Sequence, residues 1–110
     1  MADRTDPIRL IYTTFGTLED AERCGGVLVE RRLAACVNIL PRMISIYEWQ
    51  GELSRDEEVA MWVKTRAGRL AATLEALSEL HPYEVPAMIT LAPEAVNAPY
   101  ADWLRAQTAS

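Results

Sequence analysis

A two-layer α+β sandwich is predicted by three features of this 110-residue chain. Apolar residues recur with the strand's alternating period through residues 8–15, 35–65 and 87–92. Between these runs, residues 18–32 and 68–80 carry apolar stripes at helical spacing. The middle run is long enough for two strands joined by a turn at Gly51. The resulting order is strand, helix, strand, strand, helix, strand, then a small helix. Two βαβ-like halves of this kind make the ferredoxin-like split βαβ sandwich, an antiparallel-rich sheet of four strands with two helices on one face. Right-handed crossovers leave few competing arrangements.

Each element has a local reason. Residues 1–7, MADRTDP, are polar and end in proline, so a loose leader is expected, with residues 8–110 forming a single domain. Ile8 to Phe15, IRLIYTTF, is dense in apolar groups and suits a central strand. Gly16 breaks it, and Thr17 is placed to cap the following helix, with Asp20 as a capping-box partner. Ala21, Cys24, Gly25, Leu28 and Val29 form that helix's inner stripe, and Gly25-Gly26 reads as a point of close packing.

The hairpin runs from Ala35 to Thr65, and Pro41 marks a bulge or an edge. Past the proline, Met43, Ser45, Tyr47 and Trp49 share one face while Ile44, Ile46 and Glu48 share the other. After Gly51, Val59, Met61, Val63 and Thr65 alternate with Glu58, Ala60, Trp62 and Lys64. Gly68 and Arg69 open a second helix with Leu70, Leu74 and Leu77 on one face. His81-Pro82 ends it, because proline disfavours helical geometry in the residue before it. The loop HPYEVP leads to the strand at 87–92. Asn97, Pro99, Tyr100, Trp103 and Leu104 then mark a short C-terminal helix. Two helices cover only one sheet face. Tyr47, Trp49 and Trp62 on the hairpin are therefore expected to meet another copy of the chain.

Composition narrows the function. The net charge of −5 has the wrong sign for a nucleic-acid binder. No stretch approaches the roughly 20 apolar residues of a membrane span, and MADRTDP lacks a signal peptide's apolar segment, so a cytoplasmic protein is expected. Cys24 and Cys36, separated by eleven residues, lack metal-ligand spacing and read as unpaired packing cysteines. There is no GxSxG, HExxH or glycine-rich phosphate loop, which points away from an enzyme. Arg4, Arg9 and Asn38 provide the residue types of acyl-phosphate hydrolysis but not its glycine-rich cradle.

Four strings in register carry a family resemblance: LAACVN from Leu33, YEWQG from Tyr47, Glu58 with Lys64-Thr65, and HPYEVP from His81. Together they resemble the CutA family of divalent-ion-tolerance proteins over roughly residues 8–104. That resemblance implies a homotrimer in which long hairpins interlock, an architecture similar to PII signalling trimers with small-molecule clefts between subunits. It also implies a role in tolerance of divalent metals, with bound Cu²⁺ or another divalent ion. Copper in some members is assigned to a first-strand cysteine and two adjacent histidines. The matching positions here are Thr13, Leu80 and His81, so His81 alone keeps a ligating side chain. Ala87 stands where many members have glutamate.

His81, the sole histidine, has two readings. It is either a helix-ending residue whose positive charge suits the helix's negative end, or a metal ligand. First-row ions want several donors, which Glu58, Glu84 and Tyr83 would supplement around a threefold axis or cleft. Glu58 and Lys64 share a strand face with Trp62 between them and read as a solvated or inter-subunit salt bridge. Alternatively, Lys64 joins Tyr47, Trp49, His81 and Tyr83 in an inter-subunit pocket for a small anion.

Overall fold

The computed structural model describes residues 5–109. In chain order the elements are β1 (Ile8–Phe15), α1 (Leu18–Glu30), β2 (Cys36–Trp49), β3 (Glu52–Arg66), α2 (Ala67–Leu80), β4 (Met88–Leu91) and α3 (Ala98–Gln107). The four strands form one sheet in the order β2-β3-β1-β4, and every pairing is antiparallel. This is the split βαβ arrangement expected. The fourth strand is shorter than its apolar run.

α1 and α2 pack on one sheet face. Ile11 and Phe15 of β1 and Val59, Met61 and Val63 of β3 project to that side, where they meet Ala21, Cys24 and Leu28 of α1 and Ala76 and Leu77 of α2. Thr17 caps α1 by accepting the Asp20 N–H at 3.1 Å. Gly25 lets the helix sit close: a Cβ there would lie 2.7 Å from Val37 Cγ2. Gly26 faces open space instead, so the close-packing expectation holds for only one of the pair. Val29, expected on the inner stripe, is 39 % exposed.

α1 stops two residues earlier than its periodicity suggests. Arg32 adopts a left-handed φ of 59°, and the Leu33 N–H reaches back to the Leu28 carbonyl at 3.0 Å. The Arg32 N–H bonds the Val29 carbonyl, also at 3.0 Å, which completes a Schellman-type stop with arginine where glycine is usual. α3 covers the opposite sheet face at one end only, where Ala101 and Leu104 close over Ile8 and Ala35.

Of the expected loose leader, residues 1–4 lie outside the described residues. Asp6 and Pro7 are pinned. The Asp6 carboxylate accepts from Arg66 at 2.6 Å and from the Gly68 N–H at 3.0 Å, and the Pro7 carbonyl accepts the Ala67 N–H at 2.8 Å. Arg105 Nε donates to the Asp6 carbonyl at 2.7 Å. A helix leaves its first N–H groups without partners, and a carboxylate there also faces the positive end of the helix dipole. Asp6 thus caps α2 across the fold, and the helix begins at Ala67.

Pro41 does mark a bulge. Leu40 pairs with Ala60 and Met43 with Glu58, so Pro41 and Arg42 together oppose Val59. The extra residue shifts the alternation by one, which puts Met43, Ser45, Tyr47 and Trp49 on the side away from α1 and α2. Beyond the bulge the β2–β3 pair projects as an arm, giving the molecule extents of 51 × 26 × 21 Å. Gln50 and Gly51 turn it with φ of 50° and 82°, the doubly left-handed pattern of tight two-residue hairpins.

Candidate functional site

The candidate site runs along the outward face of the arm from its root to its tip. Here the outward face of β1, the arm from Met43 to Trp49 and the loop after α2 line an open groove of ≈ 580 Å³. Tyr12, Met43, Tyr47, Trp49, Glu58 and Tyr83 are among its lining residues. The bulge positions three of these, because without it Met43, Tyr47 and Trp49 would turn to the helix side. Tyr12 donates its hydroxyl to the Met43 sulfur at 3.2 Å, tying β1 to the arm, and its ring packs 5.0 Å from that of Trp62.

Tyr83 is held by its neighbours. Its hydroxyl lies where a Cβ on Gly16 would approach to 3.1 Å, so the missing side chain lets the phenol settle over the end of β1. Burial raises the Tyr83 phenol above its ordinary value, and the charge of Glu58 adds to that. Tyr47 donates its hydroxyl to the Asp56 carboxylate, and that bond is the main reason its own proton is held more tightly than usual.

His81 lies beside the groove but outside its lining. It is the C-cap residue of α2 and is 6 % exposed. Its ring stacks on Phe15 with centroids 4.3 Å apart. Nδ1 accepts the Tyr83 N–H at 3.1 Å, which leaves Nε2 as the protonated nitrogen, donating to the Thr14 carbonyl at 2.8 Å. Burial lowers its pKa from the ordinary 6.5, and the Thr14 bond offsets part of that. The expected positive charge at the helix end is therefore replaced by a neutral ring serving the backbone. The reason is desolvation, which outweighs the attraction of a helix terminus.

The residues matching the family's copper set do not fit that role within one chain. Thr13 is fully buried and its Oγ1 has no hydrogen-bond partner, so an unsatisfied hydroxyl stands where the thiol would be. Leu80 has no donor side chain and packs against the core. Both ring nitrogens of His81 are engaged by backbone groups. Among the described residues, no three His, Cys, Asp or Glu side chains are gathered as a metal would require.

Lys64 is not part of the groove. Six residues along β3 from Glu58, it lies about 20 Å away at strand rise, so a salt bridge between the two would have to join different copies of the chain. Its ammonium donates to the Tyr100 hydroxyl at 3.0 Å and sits 5.3 Å from that ring's centroid, under α3. The Tyr100 hydrogen bond raises the Lys64 pKa. Cys36 pairs directly across from Lys64 and is half-buried, whereas Cys24 is fully buried and donates to the Leu80 carbonyl at 3.3 Å. Both cysteines are free. Glu84 is exposed on its loop, apart from the groove lining. Tyr47, Trp49, Glu58 and Tyr83 are thus brought together, while Lys64, His81 and Glu84 are not. Met43 was read on one face with Tyr47 and Trp49 but given no role in a site, and Tyr12 went unnoticed in the sequence. Their signal was outward parity on β1 and on the arm, which needs the strand register to become a site.

A ferredoxin-like sheet that extends one hairpin into a long arm, with an aromatic groove along its outward face, defines a distinctive class of small α+β protein. The family model for CutA1 divalent ion tolerance protein matches residues 9–107, and the chain belongs to that family. The divalent-cation tolerance protein CutA of Thermus thermophilus is 42 % identical over 99 residues, covering 90 % of this chain and 96 % of that one. A CutA homolog of Xenopus laevis is 49 % identical over 77 residues, covering 70 % of this chain and 51 % of the relative. The chain thus spans about half the length of that relative, and likewise of the human one, at 50 %. The crystal structure of the divalent ion tolerance protein CutA1 from Ehrlichia chaffeensis superimposes with a TM-score of 0.92 at 35 % identity, covering 96 % of this chain and 98 % of that one.

Proposed function

We propose that this divalent-ion-tolerance family member acts as a non-enzymatic homotrimer whose copies clasp one another through the arm. The observation that carries the reading is the arm's uncovered apolar surface. Ile44, Ile46 and Leu53, on the helix-side face, are 49 %, 65 % and 80 % exposed, and Trp49 at the tip is 63 % exposed. Surfaces of this kind mark contact sites, and a second copy supplies a complementary apolar arm. Obligate interfaces resemble a divided core and commonly bury on the order of 2,000 Å² or more. Three copies is the number the family resemblance implies. Tyr47 and Trp62 contribute from the opposite face, where Trp62 is half-buried against Tyr12.

In this reading, tolerance is not exerted through a copper site built by one chain. His81 would have to release either Thr14 or Tyr83 to offer a ring nitrogen, and Thr13 and Leu80 supply no thiol or imidazole. Native mass spectrometry with Cu²⁺ and Zn²⁺ titrated into wild type and His81→Ala tests both parts. The expected result is a trimer in each sample and no fixed ion uptake that depends on His81. A monomer mass for a well-folded sample overturns the assembly. A stoichiometric ion lost in His81→Ala overturns the metal part and makes His81 a ligand.

A further inference from the structure

Two arginines join the leader to α3. Arg66, the last residue of β3, donates through Nη1 to the Asp6 carboxylate at 2.6 Å. Its other nitrogens go to the end of α3, Nε to the Thr108 hydroxyl and Nη2 to the Thr108 carbonyl, both at 2.9 Å. Arg105 of α3 reaches the opposite way, with Nε on the Asp6 carbonyl at 2.7 Å. Arg69 adds a second guanidinium to the Thr108 carbonyl at 2.9 Å, where the negative end of the α3 dipole favours it. The Arg66 and Asp6 side chains are 20 % and 13 % exposed, so salt screens their attraction only weakly. Nearer its start, α3 lies over the sole lysine of the chain. The Tyr100 hydroxyl accepts from Lys64 at 3.0 Å and stands 3.8 Å from the Cys36 sulfur. Everything named here sits at the end of the sheet opposite the tip of the arm.

We propose that the leader and α3 form one latch: α3 is a lid over Lys64 and Cys36, and it stays closed only while Asp6 is docked. Withdrawal of Asp6 takes the carboxylate from Arg66 and the carbonyl from Arg105. A guanidinium presents its donors in one rigid plane, so the bond to Asp6 also aims Arg66 at Thr108. Without it the end of α3 loses its best-oriented anchor, and what remains beneath the helix is the small apolar contact of Ala101 and Leu104 with Ile8 and Ala35. When α3 lifts, Lys64 loses Tyr100 and its ammonium is freed for an anion. The latch therefore shows or hides the chain's one lysine. Coupling of this kind is reciprocal: a docked leader holds the lid closed, and a closed lid holds the leader to the same degree.

Amide hydrogen exchange on the full chain tests the latch from both sides. Asp6→Asn keeps the side chain's size and an acceptor for the Gly68 N–H, so the fold is preserved. Its α3 amides should exchange about tenfold faster, the loss expected for a charge-assisted pair, while amides of α1 and of Val59 to Val63 keep their rates. Tyr100→Phe loosens the lid at the end away from the leader. There the Ala67 and Gly68 amides, which donate to Pro7 and Asp6, should speed up together with those of α3. N-ethylmaleimide gives a second readout: Cys36 should be alkylated faster in Asp6→Asn, with the fully buried Cys24 unlabelled. Unchanged α3 exchange in Asp6→Asn would overturn the latch, as would unmoved Ala67 and Gly68 amides in Tyr100→Phe. Equal acceleration in α1 would also overturn it, because Asp6 would then hold the whole fold and not the lid. Faster α3 exchange with unchanged Cys36 labelling would overturn the opening and reduce it to fraying at the end of the helix.

Discussion

The β2–β3 pair is one continuous ladder with two very different halves. Below the bulge, the helix-side residues Val59, Met61, Val63 and Thr65 are sealed under α1 and α2. Above it, the same side of the same strands carries Ile44, Ile46 and Leu53 with nothing of this chain over them. Backbone pairing continues without regard to cover, from Cys36 opposite Lys64 to Trp49 opposite Glu52. A hairpin with neither face packed is marginal in water, so the arm's hydrogen bonds alone do not explain its length. What distinguishes the halves is who supplies the apolar partner. The base is covered from within the chain; the arm retains apolar residues at the same alternation and is proposed to receive its cover from another copy.

The sharpest way to break this contrast is to truncate one apolar residue in each half. Met61→Ala removes a fully buried side chain from the base and should lower the unfolding free energy by about 2–5 kcal/mol, measured by urea unfolding at fixed protein concentration. Ile46→Asp on the arm should leave the helical circular dichroism in place and lose the trimer mass. If instead Ile46→Asp retains the full assembly, the arm is not the contact. If Met61→Ala proves neutral, the division between a sealed base and an open arm is wrongly drawn.

His81 lies where the two halves meet, linking Thr14 of β1 to Tyr83 at the groove, and its titration sharpens the same boundary. Burial holds its folded-state pKa below the ordinary 6.5. Between those two values the unfolded chain binds a proton that the folded chain refuses, so stability rises with pH in that window. It should therefore fall as pH drops through 6.5 and level off below the folded value. Urea midpoints across this range, in wild type and His81→Gln, check the point: the wild-type slope should exceed the variant's. Equal slopes would mean that the ring binds its proton as readily in the fold as in the unfolded chain, so that burial does not hold it neutral.

Most of the fold was legible in the residues because its signals are local. The alternation of IRLIYTTF, the Thr17 cap and the interruption at Pro41 each act within a few positions, and the elements fall near where those signals put them. The unread features depend on distance. Asp6 lies next to Pro7 and reads as leader, yet it caps a helix that starts 61 positions later at Ala67. Lys64 and Glu58 share a face, and parity offered them as a solvated or inter-subunit salt bridge. Strand rise separates them, and α3, whose docking no local pattern reveals, claims Lys64 through Tyr100. For the site, the hairpin aromatics and Tyr83 were visible as unusual residues. Met43 was visible on the face of Tyr47 and Trp49, but the company of that face with Tyr12 and Tyr83 was not, since it requires the register of β1 against β3 and the one-residue shift at the bulge.

The smallest expected effect belongs to the tip of the arm. Gln50 holds φ at 50°, a region that asparagine enters more readily because its short amide bonds locally with the backbone, and Gly51 follows at 82°. Gln50→Asn should stabilise the turn by about 0.5 kcal/mol, on the preference for Asn-Gly in such hairpins. Hydrogen exchange should register this as slower exchange of arm amides near Trp49 and Glu52. Amides of the base, which open only with the core, should be unchanged. Equal slowing in both places would mean that arm and base unfold as one unit. The bulge at Pro41 would then redirect side chains without dividing the hairpin's stability.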